Sequence, residues 1–486
     1  MRRFLSLSFF LFAFTCLNAQ QNSVLSSGNW YKISVSQDGI YKLDNNDLQS
    51  LGIETSNLSV NSIKLFGNGG GMLPALNSDF RHNDLQENAI QVVDLNGNGI
   101  FNSDDYILFY GQSPHNWKYD SVSNIFNYSE HLFSDLNYYF ITIDNSSGGK
   151  RINQKPIFTN FDKTIIAFND FHVHEVNSEN LIQSGREWFG ERFGIIDSYS
   201  FNFNFPNLIN SSPVTIKTSV AARSLNSSYF TVNANNNFIS NINISNIVYD
   251  YATQYARSAE NTSQFNSNSD QITVNVEYNY SENNAIGWLN YIQLNSRREL
   301  RMHNDILSFR DVESITNNQL GKYIISNSNL ATQVWDITDQ LNIKKLPTNL
   351  TGSELTFIDS ISSLKSYYAF NNNYKKPSLI GEIENQNLKA IDNNVEYVIV
   401  SHPNFVLAAD ELAQIHLQVD DLNSVVVTPE QIYNEFSSGM QDVTAIRDFF
   451  RMLYKRSNSN FKYALLFGDG SYDNKNRLQN NTNFIP

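Results

Sequence analysis

The chain has 486 residues, too many for one ordinary hydrophobic core, so two to four domains of ~100 to 200 residues each are expected. Thirty-four basic against 48 acidic residues give a net charge of −14. It is spread thinly with no basic stripe, which argues for solubility and against a nucleic-acid partner. Cys16 is the only cysteine, and its place near the start leaves the rest of the chain without disulfides, cysteine metal ligands or a thiol nucleophile.

Residues 1–19 carry Arg2 and Arg3, an apolar stretch around Phe9 to Phe14, and the small residue Ala19 before Gln20, the layout of a cleaved secretory signal. That apolar run is shorter than the ~20 residues a bilayer-spanning helix needs, and no later segment is apolar for that distance. The mature chain is therefore expected to be exported and soluble or peripherally attached. Lipid modification at Cys16 is a weaker reading, because Phe14 and Thr15 are poor neighbours for it and Ala19 already explains the segment.

Residues 20–150 read as a first β domain. In WYKISVSQDGIYKL, Tyr31, Ile33 and Val35 alternate with polar residues, and Asp38-Gly39 supplies a turn, which predicts a hairpin. Strand-like runs NSIKLFG, NAIQVVDL, DYILFYG and NYYFITID follow. FGNGGG lacks the Lys-Ser or Lys-Thr pair and the helix of a phosphate loop, and is expected to be a wide turn.

Between two of these strands lies DLNGNGIFNSDD. Counted from Asp94, oxygen ligands fall at positions one, three and five (Asp94, Asn96, Asn98), glycine at six (Gly99), a backbone carbonyl at seven (Ile100), Asn102 at nine and Asp105 at twelve. This is the spacing of an EF-hand-like calcium loop, and an all-oxygen set suits a structural Ca2+ of extracellular-range affinity. Position twelve is Asp instead of the longer Glu, and a strand precedes the loop where a helix is usual. A hairpin loop held by Asx turns is the alternative.

Residues 151–390 form a second β-rich domain, with SYSFNFNF, TVNVEYNY and WLNYIQL as its clearest strands. His172 and His174 share one face of a strand, but two nitrogens do not make a metal site, and solvent-facing histidines are the simpler reading. In SGREWFGERF, the charges of Arg186, Glu187, Glu191 and Arg192 around Trp188 suggest an ion-pair cluster that positions this domain or contacts the next one.

From residue 391 the pattern changes. VEYVIV is apolar on both faces, as a buried parallel strand is. Phe405, Ala408, Leu412, Ile415 and Val419 follow at helical spacing, then SVVV as a strand, PEQIYNEF as a helix, a helix from Val443 to about Lys455 capped by Asp442, and YALLFGDG as a third strand. The fold class expected is thus mainly β, with antiparallel β-rich N-terminal domains followed by the incomplete start of an α/β domain in 391–486. Reactive loops of such domains lie at the carboxyl ends of the strands. Asp469 sits in one, to line a cleft or merely to turn the chain.

Several of these strings resemble the type IX secretion sortases, gingipain-like cysteine endopeptidases of bacterial cell surfaces. They are WYKISVSQDGIYKL, ILFYGQSPHNW (Ile107 to Trp117), SGREWFGE, WLNYIQLNSRREL (Trp288 to Leu300) and VWDIT (Val334 to Thr338). VEYVIVSHP, VTAIRDFFRMLYKR and YALLFGDGSYD are similar to the first third of the gingipain-type, caspase-like catalytic domain. The resemblance implies a peptidase and transpeptidase that removes the C-terminal sorting signal of secreted cargo. It also implies docking to an outer-membrane barrel protein, with the C-terminal signal domains of cargo as substrates. It places the catalytic His and Cys beyond Pro486, so no catalytic residue is expected in this chain, and His402 and His416 are expected to be surface or packing residues. The other class of function is a non-catalytic surface β module that binds a partner.

Overall fold

The computed structural model describes residues 22–248, 250–456 and 460–486. The signal expected in residues 1–19, with Cys16, lies outside the described residues. The chain is mainly β, as expected, and closes with three parallel strands and three α-helices.

The first layers form a sandwich. One sheet has five antiparallel strands in the order Ser378–Ile383, Trp30–Val35, Asn137–Ile143, Ile63–Phe66, Glu87–Asn88. The other has three, Gly39–Asp44, Tyr106–Gly111 and Gln91–Val93. Tyr31, Ile33 and Val35 from the first sheet and Tyr41, Leu43 and Phe109 from the second meet in one core. The predicted hairpin is therefore a corner: Trp30–Val35 and Gly39–Asp44 belong to different sheets. All six residues of Trp30–Val35 are buried, Lys32 and Ser34 included. Its edges are taken by Ser378–Ile383 and Asn137–Ile143, leaving none for a hairpin partner. Asp38 Oδ1 fixes the corner by accepting from the Ser113 N–H at 2.8 Å.

A ten-stranded sheet stacks against this sandwich, sharing a core in which Ile40, Leu108 and Tyr110 meet Trp335, Tyr368 and Phe370. Its longest strand, Ile286–Glu299, pairs with Ala167–Glu175 on one side and Val214–Arg223 on the other. Alternation along these strands gives the sheet a second apolar face, covered by two four-stranded sheets. One, with Ser228–Ala234 and Gln271–Asn279, packs around Phe205, Phe230 and Ile292. The other, with Leu320–Ile325 and Glu354–Ser360, packs around Phe168, Phe309 and Tyr367.

After residue 395 three parallel strands assemble in the order Ser424–Val427, Tyr397–Ser401, Tyr463–Phe467. Tyr397–Ser401 is central and buried throughout, which its two-sided apolar run requires. The helices span Val406–Asp420, Pro429–Phe436 and Val443–Arg456. In the first, Ala409 and Ala413 are buried while Ile415 and Val419 are 50% and 74% exposed, so the buried stripe is rotated from the face read in the sequence. Small side chains let this helix approach the sheet closely.

Candidate functional site

The carboxyl ends of the three parallel strands carry the loops after Ser401, Val427 and Phe467. His402 follows the first strand, where its Nδ1 accepts from the Asn404 N–H and its ring packs 4.6 Å from that of Phe484. Thr428 and Gln431 close a capping box at the start of Pro429–Phe436, with Pro429 at the first helical position. Asp469 accepts from Thr482 Oγ1 at 2.9 Å and, through its carbonyl, from the N–H groups of Phe484 and Ile485. It therefore clamps the last residues across the strand end. His416 lies on a helix, 2.6 Å from Asp420.

Charged contacts dock the helices beside these loops onto the β domains. Lys32, on the buried strand, donates to Asn434 Oδ1 at 2.8 Å and lies 3.3 Å from Glu430, beneath the ring of Tyr138. Burial pushes its ammonium below the usual lysine range, and Glu430 opposes that. Arg81 grips both oxygens of Asp448 at 2.7 and 2.8 Å, the bidentate geometry a guanidinium favours. Asp442 caps Val443–Arg456 through the Thr444 N–H with one oxygen and takes the Leu73 N–H with the other. Arg447 donates to the carbonyls of Pro74 and Ala75. Lys389, fully buried, lies 3.0 Å from Asp84 and 3.6 Å from Glu435, without hydrogen-bond alignment to either.

The glycine-rich turn belongs to the same seam. Asn68 N–H donates to Ser438 Oγ at 3.1 Å, and a Cβ on Gly70 would stand 2.0 Å from the Ser113 carbonyl oxygen. Any side chain there would force the turn away from Ser113.

A second seam joins SGREWFGE to residues 471–478. The buried ring of Trp188 stacks on Tyr472 at 5.8 Å, and the Arg477 guanidinium lies over the ring, 4.7 Å from its centroid. The charges read around Trp188 do not pair among themselves: Glu191 takes His174 Nε2 at 2.8 Å, and the cation at the tryptophan comes from Arg477. Lys475 lies 2.7 Å from both Glu130 and Asp135. Between Leu181, Ile182, Trp188, Tyr255, Tyr472 and Leu478 a cleft of about 580 Å³ opens beside these strand ends.

Under Lys475 sits His131, 1% exposed, whose Nδ1 accepts from the N–H groups of Phe133 and Ser134. Burial, then the charge of Lys475 and the neighbouring His115, pushes its imidazole down to about 3. Nothing in sequence marks His131, Lys32, Arg81 or Lys475. The partners of Lys32, Arg81 and Lys475 are 340 to 402 positions away, and only burial singles out His131.

The loop from Asp94 to Asp105 links two paired strands, Gln91–Val93 and Tyr106–Gly111. Asp94 accepts from the N–H groups of Gly97 and Gly99, both at 2.8 Å; Asn96 from that of Asn98; and Asn98 from that of Ile100. Asn102 Nδ2 donates to the Ile100 carbonyl and to Asn98 Oδ1. Asp105, 1% exposed, accepts from Leu95 and Asn102 N–H. Asn98, Ile100 and Asn102 are thus brought together, while Asp94 and Asp105 tie the loop by Asx-type bonds. Among the described residues no group of three or more His, Cys, Asp or Glu is placed to hold a metal. His172 and His174 pack on Phe205 and Phe201 instead.

Residues 390–486 match peptidase family C25. The fold is that of the crystal structure of dimeric latent PorU from Porphyromonas gingivalis, with 23% identity and a TM-score of 0.81 over 95% of this chain and 44% of that one. The chain thus spans less than half the length of that structure. A carbohydrate-binding domain, CBM36-1, of a xylanase from the hindgut metagenome of Trinervitermes trinervoides aligns over 26% of this chain and 96% of its own, with 8% identity and a TM-score of 0.18. The endotoxin Cry8Ea1 of Bacillus thuringiensis aligns over 51% and 55%, with 11% identity and 0.18. No curated protein matches the chain.

Trp188→Ala should free the 471–478 segment, and tryptic cleavage after Lys475 or Arg477 should quicken at least tenfold; an unchanged rate would show that Trp188 does not hold it. A second expectation follows from His131. Because its folded pKa lies below the ordinary 6.5, the unfolded chain takes up the proton first as pH falls. Stability is then full above pH 6.5 and is lost as pH drops toward 3, by up to about 1.4 kcal/mol per unit. His131→Asn keeps an acceptor for the two N–H groups but cannot titrate. The difference in melting temperature between pH 7 and pH 5 should therefore be smaller in the variant than in the native chain.

Proposed function

We propose that the chain is the N-terminal part of a cell-surface cysteine peptidase of the type IX secretion sortase kind, which removes the C-terminal sorting signal of secreted cargo by endopeptidase and transpeptidase chemistry. The observation that carries this proposal is the match of residues 390–486 to peptidase family C25 behind β domains with the PorU fold. In such peptidases a thiolate attacks the scissile carbonyl and a histidine moves the proton. The residues of this chain have a supporting part: Lys32, Arg81 and Asp442 orient the first strands and helices of the α/β region, and Trp188 and Lys475 fix the loop after its third strand. Precise placement of that kind is what a thiolate mechanism needs, since small displacements of the reacting groups cost large factors in rate.

The partners that follow are the C-terminal signal domains of cargo and an outer-membrane barrel protein, and the location that follows is the outside of the outer membrane, with attachment through protein contacts. No helix of the described residues is long and apolar enough to cross a membrane. A thiol-reactive probe applied to the native protein from the outer-membrane fraction tests the proposal. One labelled cysteine on a protein well above 55.5 kDa, together with accumulation of uncleaved cargo when that cysteine is replaced, is expected. An unlabelled protein with the mass of residues 20–486 and normal cargo cleavage would replace the peptidase with a binding module.

A structural Ca2+ in the Asp94 to Asp105 loop is part of the same proposal. Its donors are all oxygens, two of them carboxylates, and a carboxylate oxygen that accepts one N–H keeps a second lone pair for a cation. Millimolar Ca2+ should raise the melting temperature by several degrees over EDTA, consistent with roughly 1 to 2 kcal/mol from a site of ~0.1 mM affinity. The rise should vanish in Asp94→Ala. Equal melting in both buffers would leave a loop closed by hydrogen bonds alone.

A further inference from the structure

Between the first sandwich and the outer face of the ten-stranded sheet lies a cleft of about 400 Å³, separate from the seams at the α/β region. Arg310, on the strand Ile306–Arg310, stands in it because residues 306, 308 and 310 point away from the core that takes Leu307 and Phe309. Its guanidinium lies over the face of Phe171, 4.7 Å from the centroid, and Phe171 stacks on Trp117 at 4.1 Å. One of its nitrogens donates to Ser308 Oγ at 2.6 Å. Among the described residues no carboxylate oxygen comes within 4 Å of it. Asp170, a neighbour in the cleft, is held by Arg298 at 2.5 Å. Asp38, at the opposite wall, uses one oxygen on the Ser113 N–H.

We infer that this cleft is a binding site for a carboxylate carried beside a flat apolar group, with Arg310 as the anion receptor and the Trp117–Phe171 shelf as the apolar wall. A guanidinium presents paired N–H groups that match a carboxylate's two oxygens, and the ring beneath it fixes the plane in which they point. The neighbouring arginines of the same sheet are already closed within the chain, Arg297 on Asp311 and Arg298 on Asp170. Arg310 is half-buried at the cleft, with Asp170 and Asp38 near enough to favour its charge but neither paired with it. Asp38 across the gap sets selectivity: it repels a second negative charge and favours a ligand with a donor opposite its carboxylate, as a peptide amide provides.

N-benzoylglycine carries a ring, an amide and a terminal carboxylate; N-benzoylglycinamide lacks only the charge. Calorimetric titration of the full chain should find the acid bound at least tenfold more tightly than the amide, the difference expected of a charge-assisted pair. Arg310→Lys should lose most of that preference while keeping the charge. Asp38→Asn should strengthen binding of the acid, which a mere link between the two walls would not do. Succinate, with no ring, separates the sources of binding: equal affinity for succinate would assign the site to charge alone and overturn the shelf. No heat with either acid, in a chain that melts normally, would overturn the site itself.

Discussion

The strand Trp30–Val35 is paired on both edges and buried on both faces, and the rest of the molecule is arranged around that constraint. One face feeds the core of the first sandwich. The other presents Lys32 to the helix Pro429–Phe436, where an ammonium without Asn434 and Glu430 would stand uncompensated in the interior. Arg81 with Asp448 and Lys389 with Asp84 repeat the device along the same seam. Buried ion pairs add little net stability over apolar substitutes, but removing one partner costs about 3–5 kcal/mol. Their effect here is on orientation, because an α/β region docked in any other way would leave several charges unpaired at once.

Local periodicity carried much of the fold. The switch at residue 391 from alternating strands to VEYVIV, and the three helices that follow, are visible because a buried parallel strand and an amphipathic helix each need a distinctive pattern over a few residues. Pairing was not visible. Asp38-Gly39 has the chemistry of a hairpin turn, yet it makes a corner between sheets, because Ser378–Ile383 claims the edge a hairpin partner would use. The buried stripe of Val406–Asp420 was misplaced for a related reason: alanines at 409 and 413 pack against the sheet while larger residues remain outside. Of the site, Trp188 was legible as a contact. Its stacking partners Tyr472 and Arg477 were not, since aromatic and cationic residues are common and nothing local ties them to position 188.

The two sandwiches of the middle region share one continuous sheet, through Ile286–Glu299, so neither can turn without the other. The open spaces lie at the seams: the cleft before Arg310 on one side and the cleft beside Trp188 on the other. Each has in its wall an aromatic ring that carries a guanidinium, Phe171 under Arg310 and Trp188 under Arg477, a contact less dependent on alignment than a hydrogen bond.

The returning strand Ser378–Ile383 has a consequence for biogenesis. It meets Trp30–Val35 about 350 residues after that strand leaves the start of the chain. A polypeptide synthesised from its N-terminus delivers the earlier strand long before its neighbour, so one row of peptide groups stays open to wrong partners for most of its synthesis. Loop closure on that scale is slow, and open strand edges invite aggregation. The closing event of the β region is therefore its last-emerging strand, and until that strand arrives the surface that receives the α/β region is unfinished.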